Sequence, residues 1–249
     1  MSFREHYEKK INTLPPTFID SNILESKPGV YSGLFGVGTK AELSIMGHTF
    51  EIDEAGMLNI LDMVDTWWNT CEPLQKSNTM SIIVNVSNIV SDYLGGRGDP
   101  KLRKDEYFSA PDHTLTMSEI KDKGIAQCSE RSIITNQVLN VLNETGEIPY
   151  KSSVVNTRMH SNGSEAHTML LLEHQDIPGK RILFDVENPL SVNVNGNTYI
   201  YPALYPLSEE EYEAFMSGQT ITPTSFWESK GLEVLDDTRS YGQEDPPTM

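Results

Sequence analysis

The hydrophobic period of this chain changes once, at Pro149. Upstream, apolar residues return every three or four positions, the spacing of one helix face; downstream they form short runs rich in Val, Leu and Ile. Met57, Ile60, Leu61, Val64, Trp67 and Trp68 predict a helix over 53–70. Ile82, Val86, Ile89, Val90, Tyr93 and Leu94 predict a second over 79–94, stopped by Gly95-Gly96. A third opens at Cys128, with Ile134, Val138, Val141 and Leu142 as its buried stripe and Gly146 and Pro149 as its stop. Residues 95–123 are polar and broken by Gly and Pro, which predicts a loop with one short helix over 117–121. Residues 1–50 are broken in the same way, with one short strand expected over 44–52. Beyond Pro149, 151–158, 168–173 and 181–186 read as strands, and Asn195-Gly196 between SVNV and NTYIY predicts a tight hairpin. A helix over 209–216 and a frayed polar tail, GQEDPPTM, complete the chain. Helices first and then an antiparallel sheet make an α+β plan.

Charge narrows the partners. The 249 residues hold 36 acidic against 19 basic side chains, a formal net charge of −17. A field of that sign repels phosphate backbones and anionic lipid, so nucleic acid is not an expected partner. No apolar run approaches the roughly 18–20 residues that span a bilayer, so membrane insertion is not expected. The opening MSFREHYEKK lacks the apolar core of a secretory leader, and Cys71 and Cys128 cannot build a disulfide framework. A reducing cytoplasm is the expected setting, with signal-less export as an effector the alternative.

The chemistry-bearing constellation is Cys128, His167 and Asp185. A cysteine opening a helix meets free N–H groups and the positive end of the macrodipole, which favour thiolate. That matters because an ordinary thiol, of pKa about 8.5, is only a few per cent ionised at neutral pH. His167 precedes the apolar run 168–172, and Asp185 closes the next strand, so adjacent antiparallel strands would bring imidazole and carboxylate together. The carboxylate would fix the tautomer and support the imidazolium. Glu130 in the first helical turn would raise a neighbouring thiol's pKa, and Arg131 would offset that.

The stretches GIAQCSERSIITNQVLNVLNETGEIPYKSSVV, EAHTMLLLE and RILFDVENP, in that order, resemble the core of the transglutaminase-like superfamily, with its papain-like fold. The resemblance covers about residues 79–190 and is nearest the bacterial transglutaminase-like cysteine proteinases. It implies Cys128 as nucleophile, His167 as general base and acid, and Asp185 as orienting carboxylate. The Cys128 N–H would be one oxyanion donor, with Gln127 the side-chain candidate. The chain departs from the family where Thr168 follows His167 in place of an aromatic residue, and in Ser129-Glu130-Arg131 after the cysteine. The implied layout is an extension over 1–75, a catalytic domain over 76–225 and a tail over 226–249. The expected activity is hydrolysis of protein amide bonds through an acyl-enzyme, on a protein or peptide substrate, without cofactor or metal. Glutamine deamidation or transglutamination with the same three residues is the alternative within the class, and an inactive binding domain the alternative outside it.

Other motifs point to packing. Gly33–Lys40 resembles a phosphate loop, but the order of its Thr and Lys is reversed. His160, His167 and His174 recur every seven residues and would not converge on one metal. Arg97-Gly98-Asp99 reads as turn chemistry, and Cys71 as structural.

Overall fold

The computed structural model of the chain describes residues 1–20, 27–43, 47–95, 98–161, 164–235 and 237–243. The start of the 44–52 segment, the Gly96-Arg97 pair and the end of the polar tail lie outside the described residues.

Before Pro149 the elements are α1 (Phe3–Lys10), β1 (Phe18–Asp20), β2 (Gly29–Ser32), β3 (Lys40–Leu43), β4 (His48–Glu51), α2 (Glu54–Thr70), α3 (Pro73–Lys76), α4 (Thr79–Tyr93), α5 (Pro100–Ser109), β5 (Thr114–Thr116), α6 (Met117–Lys123) and α7 (Cys128–Glu144). After it come β6 (Tyr150–His160), β7 (Ser164–His174), β8 (Arg181–Val194), β9 (Asn197–Leu207), α8 (Glu209–Met216), α9 (Phe226–Ser229), β10 (Glu233–Leu235) and β11 (Ser240–Gly242). The chain is α+β. Among the described residues no helix is long and apolar enough to cross a membrane.

Local chemistry sets the boundaries. Asp53 caps α2 by accepting from the Gly56 N–H at 2.7 Å, and also takes the Ser118 N–H and hydroxyl, so one carboxylate ties α2 to α6. Gly146, at φ 83°, ends α7 in the left-handed region that a Cβ disfavours. Asn195 and Gly196, at φ 54° and 83°, make the tight turn between β8 and β9 that their sequence predicts. Residues 95–123 depart from expectation, because 100–109 form α5. Its apolar residues make no stripe; its start is set by Asp99, which accepts from the Lys101 and Leu102 N–H groups, and by Pro100 in the first turn.

Two sheets form. The larger has the order β10-β8-β7-β6-β11, with β9 also on β8 and β2 also on β6, every pair antiparallel. The smaller, β1-β3-β4-β5, is mixed and was not expected. Alternate strand residues separate two cores. Val154, Leu170, Leu172, Ile182 and Phe184 pack with the helices. Val155, Met169, Leu171, Leu183 and Tyr205 face the other way and pack with Phe215, Ile221 and Tyr241. Phe3 and Tyr7 join the helical core, and β2 joins the large sheet, so elements of the expected 1–75 extension pack with those of 76–225. The expected tail likewise supplies β10 and β11 to that sheet.

Helix α7 is buried on every side from Ser129 to Leu142, not on one stripe. Several of its polar residues find partners inside the fold. Asn140 donates to the Ser152 carbonyl and accepts from the Ser152 N–H, Asn136 donates to the Gly33 carbonyl, and Gln137 accepts from the Phe35 N–H.

Candidate active site

Cys128 is the first residue of α7 and is half-buried. Its N–H belongs to the first helical turn, whose donors lack intrahelical acceptors. His167 lies on β7 and Asp185 on β8, in the parity of Met169, Leu171 and Leu183, at the edge of the second core. The β7–β8 ladder ends at Leu170–Phe184, and β8 shifts register against β9 between Asp185 and Leu190. The carboxylate thus sits at a bulge where the sheet opens.

His167 is 4% and Asp185 1% exposed, so neither charge is screened by bulk water. His167 Nε2 lies 2.9 Å from Asp185 Oδ2, with its N–H off the line to that oxygen, closer to an ion pair than to an aligned hydrogen bond. The Cys128 thiol lies within electrostatic and hydrogen-bonding reach of the same ring. With Nε2 facing Asp185, Nδ1 is the nitrogen left for the sulfur. Burial lowers the His167 pKa, but the Asp185 charge, together with the thiol, reverses this and holds it well above the ordinary imidazole range. Burial raises the Asp185 pKa, but the charge of His167, hydrogen bonds from Asn188, and the charge of Arg239 hold it below the usual carboxylate range.

No family model, curated protein or solved structure matches this chain.

The residues after the cysteine and the histidine hold those two in place. Thr168 Oγ1 donates to Asn156 Oδ1 at 3.0 Å, so its other contact, at 2.9 Å, takes the proton of Ser129 Oγ. Ser132 donates to the Thr168 carbonyl at 2.9 Å. Ser129, Ser132, Asn156 and Thr168 thus form a buried polar seam between α7 and the sheet. Glu130 is fully buried and accepts from Arg103 Nε at 3.1 Å and Nη2 at 2.8 Å, from the Tyr107 hydroxyl at 3.0 Å, and from the Gln127 N–H at 3.2 Å. This clamps α5 to the start of α7. The partner offsetting Glu130 is Arg103, not Arg131; Arg131 pairs with Glu187 at 2.8 Å and so joins α7 to the bulge of β8. Gln127 Nε2 lies 3.5 Å from the Gly98 carbonyl, packed against the 98–99 turn.

Four donors outside the predicted trio hold Asp185. Oδ1 accepts from the Glu187 and Asn188 N–H groups, each at 3.0 Å, and Oδ2 from Asn188 Nδ2 at 3.1 Å and the Tyr241 hydroxyl at 3.2 Å. Asn188 has a local signal, the Asp-x-x-Asn spacing that permits a side-chain-capped turn. Tyr241 has none, lying 56 residues away in the segment expected to be a C-terminal tail. Beside the carboxylate is a cavity of about 370 Å³, with Ser87, Asn88 and Arg131 on its helical wall and Pro189, Ile200 and Tyr201 on its sheet wall. His160 and His174 stand at opposite ends of the β6–β7 ladder, so the three seven-spaced histidines do not meet.

Proposed function

We propose that the chain is a cysteine-dependent hydrolase of protein amide bonds, built on a transglutaminase-like, papain-like core. The reading is carried by one observation: a half-buried thiol at a helix N-terminus beside an imidazole whose far nitrogen faces a buried carboxylate.

Cys128 Sγ attacks the scissile carbonyl carbon as thiolate, and the Cys128 N–H receives the developing oxyanion. His167, held as imidazolium by Asp185, gives its Nδ1 proton to the leaving amine as the C–N bond breaks, leaving a thioester. The neutral ring then takes a proton from water, whose oxygen adds to the carbonyl carbon. The C–S bond breaks and the imidazolium–thiolate pair returns. The cavity against Asp185, with hydroxyl and amide groups on one wall and Ile200 and Tyr201 on the other, is the space next to the trio for a substrate side chain.

The test is a proteome incubated with the protein or with Cys128→Ala, then analysed by mass spectrometry. New peptide termini that vanish in the variant are expected. Deamidated glutamines or new crosslinks with no new termini would move the reaction to the alternative chemistries. Identical proteomes, together with Cys128 alkylation that tracks an ordinary thiol's pH dependence, would leave a binding domain.

A further inference from the structure

Tyr241 is 0% exposed and comes from the last strand. A buried hydroxyl is costly unless it is paired, and a phenylalanine would fill the same apolar space without that cost. The hydroxyl faces Asp185 Oδ2, the oxygen that also faces His167. The Tyr241 ring is stacked near the His167 ring, with centroids 6.3 Å apart and planes at 27°. One side chain therefore touches both members of the ion pair.

Its placement is specified by several independent contacts. β11 pairs with the edge of β6, Tyr241 bridges to Ile221, and the Gln243 N–H donates to the Gly218 carbonyl. Arg239 donates to the Asn188 carbonyl and to Asp237, which accepts from the Tyr205 hydroxyl at 3.0 Å. Burial first, and then the Asp185 charge, hold the Tyr241 hydroxyl protonated, well above the ordinary phenol range, so it remains a donor.

We infer that Tyr241 is a positioning residue of the site, which fixes the Asp185 carboxylate and limits how strongly that carboxylate supports the His167 imidazolium. The inference rests on the proposed hydrolase reading. The groups facing the pair are the Cys128 thiol from α7, Asn188 and the Arg131–Glu187 pair at the bulge, Tyr205 from β9, and Asp237 and Arg239 ahead of β11. A phenol O–H on Oδ2 spreads part of the carboxylate's charge into its hydrogen bond. Without it, more of that charge acts on the imidazolium, and one of the anchors of the carboxylate is gone.

The experiment is an NMR titration of the His167 ring in the full chain, assigned with His167→Gln, for wild type and Tyr241→Phe, with the alkylation rate of Cys128 measured across the same pH range. Tyr241→Phe is expected to move the His167 midpoint upward by about half a pH unit or more. Alkylation at neutral pH should slow severalfold as the ring loses its fixed orientation. A structural role alone would change the melting temperature and leave the midpoint where it was. Superimposable titrations overturn the inference while the hydrolase reading stands. A wild-type ring that stays neutral throughout overturns the hydrolase reading itself. Should Tyr241→Phe not fold, 3-fluorotyrosine at position 241, a stronger donor of the same shape, is expected to move the midpoint downward; no movement, or an upward one, overturns the inference.

Discussion

Ser129 and Thr168, the residues immediately after Cys128 and His167, share a buried hydrogen bond of 2.9 Å. The separation of sulfur and imidazole is therefore set by a contact one residue along each chain segment, between a helix and a strand that have no sequence relation.

Thr168→Val keeps the shape and removes the hydroxyl, which leaves Ser129 Oγ and Asn156 Oδ1 without their partner. A stability loss of about 1–3 kcal/mol is expected, from urea midpoints at unchanged slope. Cys128 alkylation at neutral pH should slow at least severalfold. Full stability together with wild-type alkylation would show that the seam does not govern the site.

Asp185→Asn removes the charge that raises the His167 pKa, so the ring should titrate nearer its ordinary value of about 6.5. Turnover on any substrate found should fall by about two to four orders of magnitude. The alkylation rate of Cys128 at neutral pH should fall with it. Retention of that reactivity in the variant would separate the thiol from the His–Asp pair.

Glu130→Gln leaves the Arg103 guanidinium buried without its counter-charge. The expected cost is about 3–5 kcal/mol, because the desolvation of the remaining ion is no longer compensated. Replacing both partners, Arg103→Met with Glu130→Leu, should recover most of that loss. Equal destabilisation by the single and double variants would contradict the assignment of the cost to an unpaired charge.

Stability should depend on pH through the site. His167 has a raised folded pKa, so its contribution is complete below its unfolded value of about 6.5 and declines as pH rises toward the folded one. Asp185 has a depressed folded pKa, so its contribution is complete above about 3.9 and declines as pH falls. The ion pair therefore stabilises most between about pH 4 and 6.5. The difference in unfolding free energy between wild type and His167→Gln, measured by urea titration across pH, should peak in that window and shrink on both sides. A difference independent of pH would refute the ion pair.

The chain alone makes legible the features that the backbone decides locally. The 3.6-residue stripes of α2 and α4, the Asn195-Gly196 turn and the 209–216 helix come from side-chain spacing and φ preference, and each forms where expected. The candidate trio is picked out for the same reason, since a cysteine opening a helix and polar residues flanking apolar runs are short-range patterns, although His167 and Asp185 lie within β7 and β8 and not at their ends. Tertiary packing decided the rest. Helix α5 has no apolar stripe and exists because Arg103 and Tyr107 find Glu130 on another helix. The α7 spacing shows one buried stripe, yet its polar side is buried too, because residues 33–35 and Ser152 supply its hydrogen-bond partners across the fold. Tyr241 joined the site only when β11 paired with β6, a contact between segments about eighty residues apart that no local pattern encodes.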